Sequence, residues 1–117
     1  MPTQASIQNL TIFKGTDKTI QDSIFQADGI TPQNLTGWSL KFTIYLYGDS
    51  SQVFITKTSS GPPGGITISN PLNGTILINI MMADSINMYP GQYEYKIERV
   101  DLGFDDRPTI GLFTILP

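Results

Sequence analysis

Three tyrosines fall within seven residues, at Tyr89, Tyr93 and Tyr95 in the stretch YPGQYEYKIER. Acids stand close by, Glu94 and Glu98 within the stretch and Asp101, Asp105 and Asp106 just after it in DLGFDD. Histidine and cysteine are both absent, so carboxylates would have to carry any catalysis alone. The usual general base, the thiol nucleophile and the common transition-metal ligands are therefore missing together. A hard cation could use DLGFDD, since such ions want several carboxylate oxygens around a tight turn, but the spacing is not that of a helix-flanked calcium loop. As an acidic hairpin tip the segment needs no ligand. Glycoside hydrolysis by paired acids needs two carboxyls in one cleft, and these acids sit mostly in turns. Glu94 and Glu98 flank Lys96 on one strand face, the arrangement of a solvated strand. GPPGG, at 61 to 65, lacks the lysine and helix of a phosphate cradle. The expectation is a protein without catalytic, cofactor or metal sites.

The elements that place these residues are strands. The chain has 117 residues, 39% hydrophobic and 15% charged, with a net charge of -3. That is one domain's length, able to bury a core without staples, and the Thr, Ser, Asn and Ile content suits β structure. The basic residues are scattered singly, so no stripe exists to neutralise phosphates, and nucleic acid is not an expected partner. MPTQASIQNL has neither a basic start nor an apolar run, and no run anywhere is long enough for a membrane span. The sequons at Asn9, Asn34 and Asn73 are read as turn-rich β composition.

Period-2 alternation recurs along the chain, while a sustained helical period does not. In WSLKFTIYLY, Trp38, Leu40, Phe42, Ile44 and Leu46 share one face, and Ser39, Lys41, Thr43, Tyr45 and Tyr47 the other. TILINI points Ile76, Ile78 and Ile80 inward, and QYEYKIER does so with Tyr93, Tyr95 and Ile97. Further strands are expected at Leu10 to Phe13, Thr19 to Gln26, Gln52 to Thr58, Ile66 to Ile68 and Thr109 to Leu116. Turn signals separate them, among them Asp28-Gly29, Asn73-Gly74 and Pro90-Gly91. About eight short antiparallel strands in a β-sandwich follow, covering residues 9–117 after a flexible arm at 1–8. MMADSINM is the one candidate helical turn, a crossover between the sheets.

In immunoglobulin-like sandwiches a buried Trp on the third strand packs at the core centre, and a tyrosine near the start of the penultimate strand bonds its hydroxyl to backbone upstream. Trp38 and Tyr93 occupy the matching places, and Tyr95 takes the position of the antibody-domain cysteine, an aromatic ring filling that volume. The tyrosine cluster thus reads as core and corner, with Trp38, Leu40, Phe42, Ile44, Tyr93 and Tyr95 as its structural residues. Tyr45 and Tyr47, on the outer face, are the interface candidates.

The strings LTGWSLKFTIYLYG, GITISNPLNGTILINI and YPGQYEYKIERVD, in this order, resemble the immunoglobulin-like N-terminal domain of phage baseplate upper proteins and similar small β domains of tailed-phage particle proteins. The resemblance runs from Leu10 to Pro117. It implies a non-enzymatic structural component of the virion, assembled in the host cytoplasm, meeting other virion proteins in the baseplate or tail as a homo-oligomer within a symmetric assembly. The chain stops where that domain stops, which raises a second role as a capsid decoration or cement protein. Contacts are expected from the arm, the Tyr45/Tyr47 face and the loops at 61–65 and 101–107. A carbohydrate-binding module is the alternative from another class, since β-sandwiches stack sugars on exposed aromatics.

Overall fold

The computed structural model describes residues 6–26, 28–101 and 109–117. They form two packed sheets. The strands are β1 (Ser6–Ile7), β2 (Leu10–Phe13), β3 (Lys18–Ser23), β4 (Leu40–Leu46), β5 (Asp49–Thr58), β6 (Ile66–Asn70), β7 (Thr75–Ile80), β8 (Gly91–Arg99) and β9 (Thr109–Leu116). The larger sheet has the order β1-β9-β8-β4-β5, with β2 also paired to β9; the smaller is β3-β7-β6. This is the expected all-β sandwich.

The alternation read from the sequence is the alternation of burial. Leu40, Phe42 and Ile44 of β4 face the core, and register sets Ile97 beside Phe42 and Tyr95 beside Ile44. Opposite them lie Ile20 of β3, Ile24 just after it, and Ile76, Ile78 and Ile80 of β7, all buried. The buried rings all come from the larger sheet, whose aliphatic residues join the isoleucines of the smaller one in the core. Phe42, Tyr95 and Phe113 form a ring cluster across β4, β8 and β9, with centroids 5.5 to 6.4 Å apart and tilted or edge-on. Those geometries suit the ring quadrupoles. The β6–β7 hairpin turns at Gly74, with φ 67°, where an added Cβ would lie 2.3 Å from the Ile24 carbonyl. Only glycine meets both conditions.

The crossover at MMADSINM is helix α1 (Met82–Ser85), a single turn. Asp84 accepts the Met81 N–H and Asp17 the Met82 N–H, each at 2.7 Å, which satisfies two of the donors a helix start leaves open. The Ser85 hydroxyl accepts the Gly15 N–H, and Lys57 of β5 pairs with Asp84 at 2.7 Å. A short turn is thereby tied to both sheets.

Four expectations need correction. Trp38 is not at the centre of the core: the Asn34 side chain accepts the Thr36 N–H, Gly37 turns with φ 82°, and β4 starts only at Leu40. Trp38 is half-buried at the rim, where the Arg99 guanidinium lies 4.0 Å from its ring centre. Leu46 is 40% exposed, because the β4–β5 pairing shifts register around Tyr45 and the strand runs past the end of the core. The strands are not all antiparallel, since β1 and β2 both run parallel to β9. The arm at 1–8 also reaches too far into the chain: Ser6–Ile7 pairs with Thr109 and Ile110, and the Gln8 N–H donates to the Ile110 carbonyl at 3.0 Å.

Candidate functional site

The tyrosine stretch divides between corner and core. Pro90-Gly91 turns the chain into β8, and the Tyr93 hydroxyl donates to the Tyr89 carbonyl at 2.7 Å. Burial pushes the Tyr93 phenol up, and its hydrogen bond to Tyr89 opposes the shift. Tyr95 lies deeper, and its hydroxyl donates to the Gln8 carbonyl at 2.8 Å. Burial and the nearby Asp22 carboxyl drive that phenol far above its ordinary value, so it acts as a hydrogen-bond donor and not as an acid. Tyr89 itself is 84% exposed.

A polar pocket surrounds that Tyr95 hydroxyl. Asp22 shares the inner face of β3 with Ile20, just ahead of the buried Ile24, and is 5% exposed. One carboxyl oxygen accepts the Ser23 N–H at 2.9 Å, while Oδ2 is buried with no hydrogen-bond partner. The side chains of Gln8 and Thr109 lie beside it as polar neighbours. Burial raises the Asp22 carboxyl above the ordinary range, more than the Ser23, Gln8 and Thr109 groups lower it. The alternation Ile20, Asp22, Ile24 was the sequence signal for a core-facing acid.

On the outer face of the larger sheet Tyr45 is half-buried and Tyr47 exposed. Lys96 stands 5.7 Å from the centre of the Tyr45 ring, so a cation already attends it. Beside it opens a groove of about 520 Å³ walled by Asn9, Tyr45, Glu94, Ile110 and Leu112. Glu94 is held there by the Gly48 N–H at 2.8 Å, and Asn9 by the Leu112 N–H at 3.2 Å. The two interface tyrosines do not form one platform: Tyr47 belongs to the hairpin tip beyond β4.

The acids are engaged in structure. Asp101 takes the Arg99 guanidinium at 3.0 Å and the Ser39 N–H at 3.1 Å, and the Arg99 hydrogen bonds hold its carboxyl below the usual range. The rest of DLGFDD, with Asp105 and Asp106, lies outside the described residues, as do residues 102–107 of the predicted contact loop. Among the described residues no cluster of three or more potential metal ligands occurs.

A surface that the sequence reading missed lies at one end of the sandwich. Register brings together Phe13 beside Leu116, Leu46 beside Tyr93, and Gly91 beside Ile115, and the β7–β8 connection reaches this end from Ile80, beside Lys18. Among the described residues, the large apolar side chains left in solvent concentrate here: Phe13, Leu46, Tyr47, Val53, Phe54, Met81, Met82, Ile86 and Tyr89. Ile30, Leu72 and Val100 stand elsewhere. Phe54 packs edge-on against Tyr93 at 5.1 Å, which ties the patch to the corner. Alternation had assigned Leu46 to the interior; the run Val53-Phe54-Ile55 was the available signal, because three consecutive apolar residues in a strand with one solvated face must expose at least one.

No protein-family model and no curated protein sequence matches the chain. Among solved structures, the chain is similar to the N-terminal domain of phage TP901-1 ORF48, at 13% identity and TM-score 0.56 over 96% of this chain and 86% of that one. Another match is the NK cell receptor Nkp44, at 15% identity and TM-score 0.48 over 97% of this chain and 100% of that one. The likeness to the phage domain is one of fold.

Proposed function

We propose that this chain is a structural module of a tailed-phage particle, without catalytic activity, working through protein–protein contacts on the baseplate or tail side. The observation that carries the reading is the fold shared with a phage protein's N-terminal domain over nearly the whole chain. Two features of the molecule support it. Its buried tyrosines and the core-facing Asp22 serve packing and hydrogen bonding, and most of its exposed large apolar side chains gather at one end, as in surfaces that meet other proteins. In this role the apolar end meets another virion protein, and several copies are arranged about a symmetry axis.

The test is to label purified particles with an antibody to this chain and view them by electron microscopy, with mass spectrometry of the same particles. Gold at the tail tip supports the proposal. Gold spread over the head assigns the chain to capsid decoration instead. Absence of both label and peptides removes it from the virion and overturns the reading.

A further inference from the structure

The apolar end of the sandwich carries more exposed surface than a lone chain of this size ordinarily leaves in water. The nine large apolar side chains that gather there are each 40% to 84% exposed. At about 200 Å² for a whole large residue, they leave on the order of 900 Å² in solvent. The largest apolar patch of a typical monomer is about 300–600 Å². A stable protein–protein interface buries about 800 Å² per partner, so this end is large enough for one.

Two charges of opposite sign stand at opposite margins of the same end. Lys14 follows β2 at one margin of the larger sheet, where its N–H donates to the Leu116 carbonyl at 2.9 Å. Asp49 opens β5 at the other margin, beside Leu46, and its carboxylate accepts the Ser51 N–H at 3.1 Å and the Ser51 hydroxyl at 2.6 Å. Strands β9, β8 and β4 lie between β2 and β5, a separation of about 19 Å at the usual strand spacing. Both residues are half-buried, and among the described residues neither has an ion-pair partner. Lys18, at the start of β3, is reached from Lys14 by a three-residue link and adds a second positive charge on that side. The Asp17 carboxylate between them is engaged by the Met82 N–H.

We propose that this end is a homodimer interface: two copies meet head to head about a twofold axis running from one sheet toward the other, with Lys14 of each facing Asp49 of the other. Such an axis reverses the strand order across the junction, so β2 of one copy lies over β5 of the other and both charge pairs form at once. Phe13, at the β2 margin, then comes over the Leu46-Tyr47 end of the second copy, which gives an apolar centre between two charged rims. An axis running across the strands within the sheet would instead set Lys14 over Lys14 and Asp49 over Asp49, so the charges select one of the two arrangements. This dimer rests on the proposed reading of the end as a contact surface, and makes the virion protein met there a second copy of this chain.

Sedimentation equilibrium on the purified full chain tests this over a concentration series from about 1 to about 300 μM, since association follows mass action. The native chain is expected to approach twice its chain mass. Lys14→Glu and Asp49→Lys should each weaken association about tenfold or more, because one reversal creates two repulsive contacts in a twofold dimer. An equimolar mixture of the two variants should recover it, because in a mixed pair both contacts again join opposite signs. Should either reversal fail to fold, the double variant Met82→Lys with Tyr89→Lys replaces it and must be monomeric throughout. A native chain that stays monomeric, reversals that associate like the native chain, or a mixture no tighter than its components overturns the dimer. Particle labelling is a separate result: gold at the tail tip together with a monomeric chain overturns the dimer, keeps the virion reading and leaves the apolar end to a different virion protein.

Discussion

The Tyr95 hydroxyl and the Gln8 carbonyl meet at 2.8 Å although 87 positions separate them in the chain. Gly111 makes the meeting possible. It pairs with Tyr95, and a Cβ added there would lie 1.7 Å from the Gln8 oxygen and 3.0 Å from the Tyr95 ring. Gly111→Ala must therefore displace backbone, as in an overpacked core, and is expected to cost about 1–3 kcal/mol in urea unfolding. The same variant should lose protection at the Gln8 amide more than elsewhere.

Tyr95→Phe keeps the ring cluster and leaves the Gln8 carbonyl short of its donor. The expected loss is about 1–2 kcal/mol, measured by thermal or urea unfolding, in line with an orphaned buried acceptor. Tyr95→Ala also removes a core ring and should cost about 3–5 kcal/mol. A neutral Tyr95→Phe would show that water replaces the hydroxyl, against the buried setting described.

Trp38 separates the two readings of the sandwich. At the core centre its truncation would cost about 3 kcal/mol or more; at the rim beneath Arg99 a smaller loss is expected, about 1–2 kcal/mol. A double-mutant cycle of Trp38→Ala with Arg99→Ala should return a coupling of about 0.5–1 kcal/mol, the size of an exposed cation–π pair. Additive losses would remove that interaction from the account.

Asp22 also sets a direction for global stability. Its folded carboxyl is raised by burial above the unfolded value, so between the two values the folded chain holds more protons than the unfolded chain. Its stabilising contribution is full below the unfolded pKa and is lost as pH rises through the folded one. Stability followed by denaturation from acid to neutral pH should decline over that window in the native chain and decline less in Asp22→Asn.

How much of this was legible beforehand depended on whether a residue's role is local. The strands at Leu10, Ile66, Thr75 and Thr109 start where alternation placed them, because one buried face imposes a period of two. Tyr93 was placed by the Pro-Gly turn three residues before it, a short-range signal. Trp38 was misplaced because its alternation with Leu40 continues through a turn fixed by Asn34 and Gly37 side-chain and backbone chemistry, which hydrophobic period does not register. The parallel pairing of β1 and β2 with β9 leaves no local trace at all. The apolar end was invisible for a related reason, since its members come from three distant segments and each, taken singly, is an ordinary strand or turn residue.

That end can be probed without disturbing the core. Met82→Lys and Tyr89→Lys alter exposed side chains, and each is expected to change stability by no more than about 0.5 kcal/mol. In the proposed role the double variant should fold normally yet fail to be incorporated into particles in a complementation assay. Normal incorporation would shift attention to the Tyr45 groove.

The pairing of β2 with β9 also governs the order of events during synthesis. The β4–β5 and β6–β7 hairpins can close as soon as they are made, whereas β2 has no partner until residues 113–116 emerge. The chain must then close a loop spanning nearly the whole domain, which raises contact order and slows the final step. Until that moment the nascent chain carries an unfilled edge on β8 and a half-covered ring cluster, so the interval before β9 arrives is when it is most open to capture by chaperones or by its own copies.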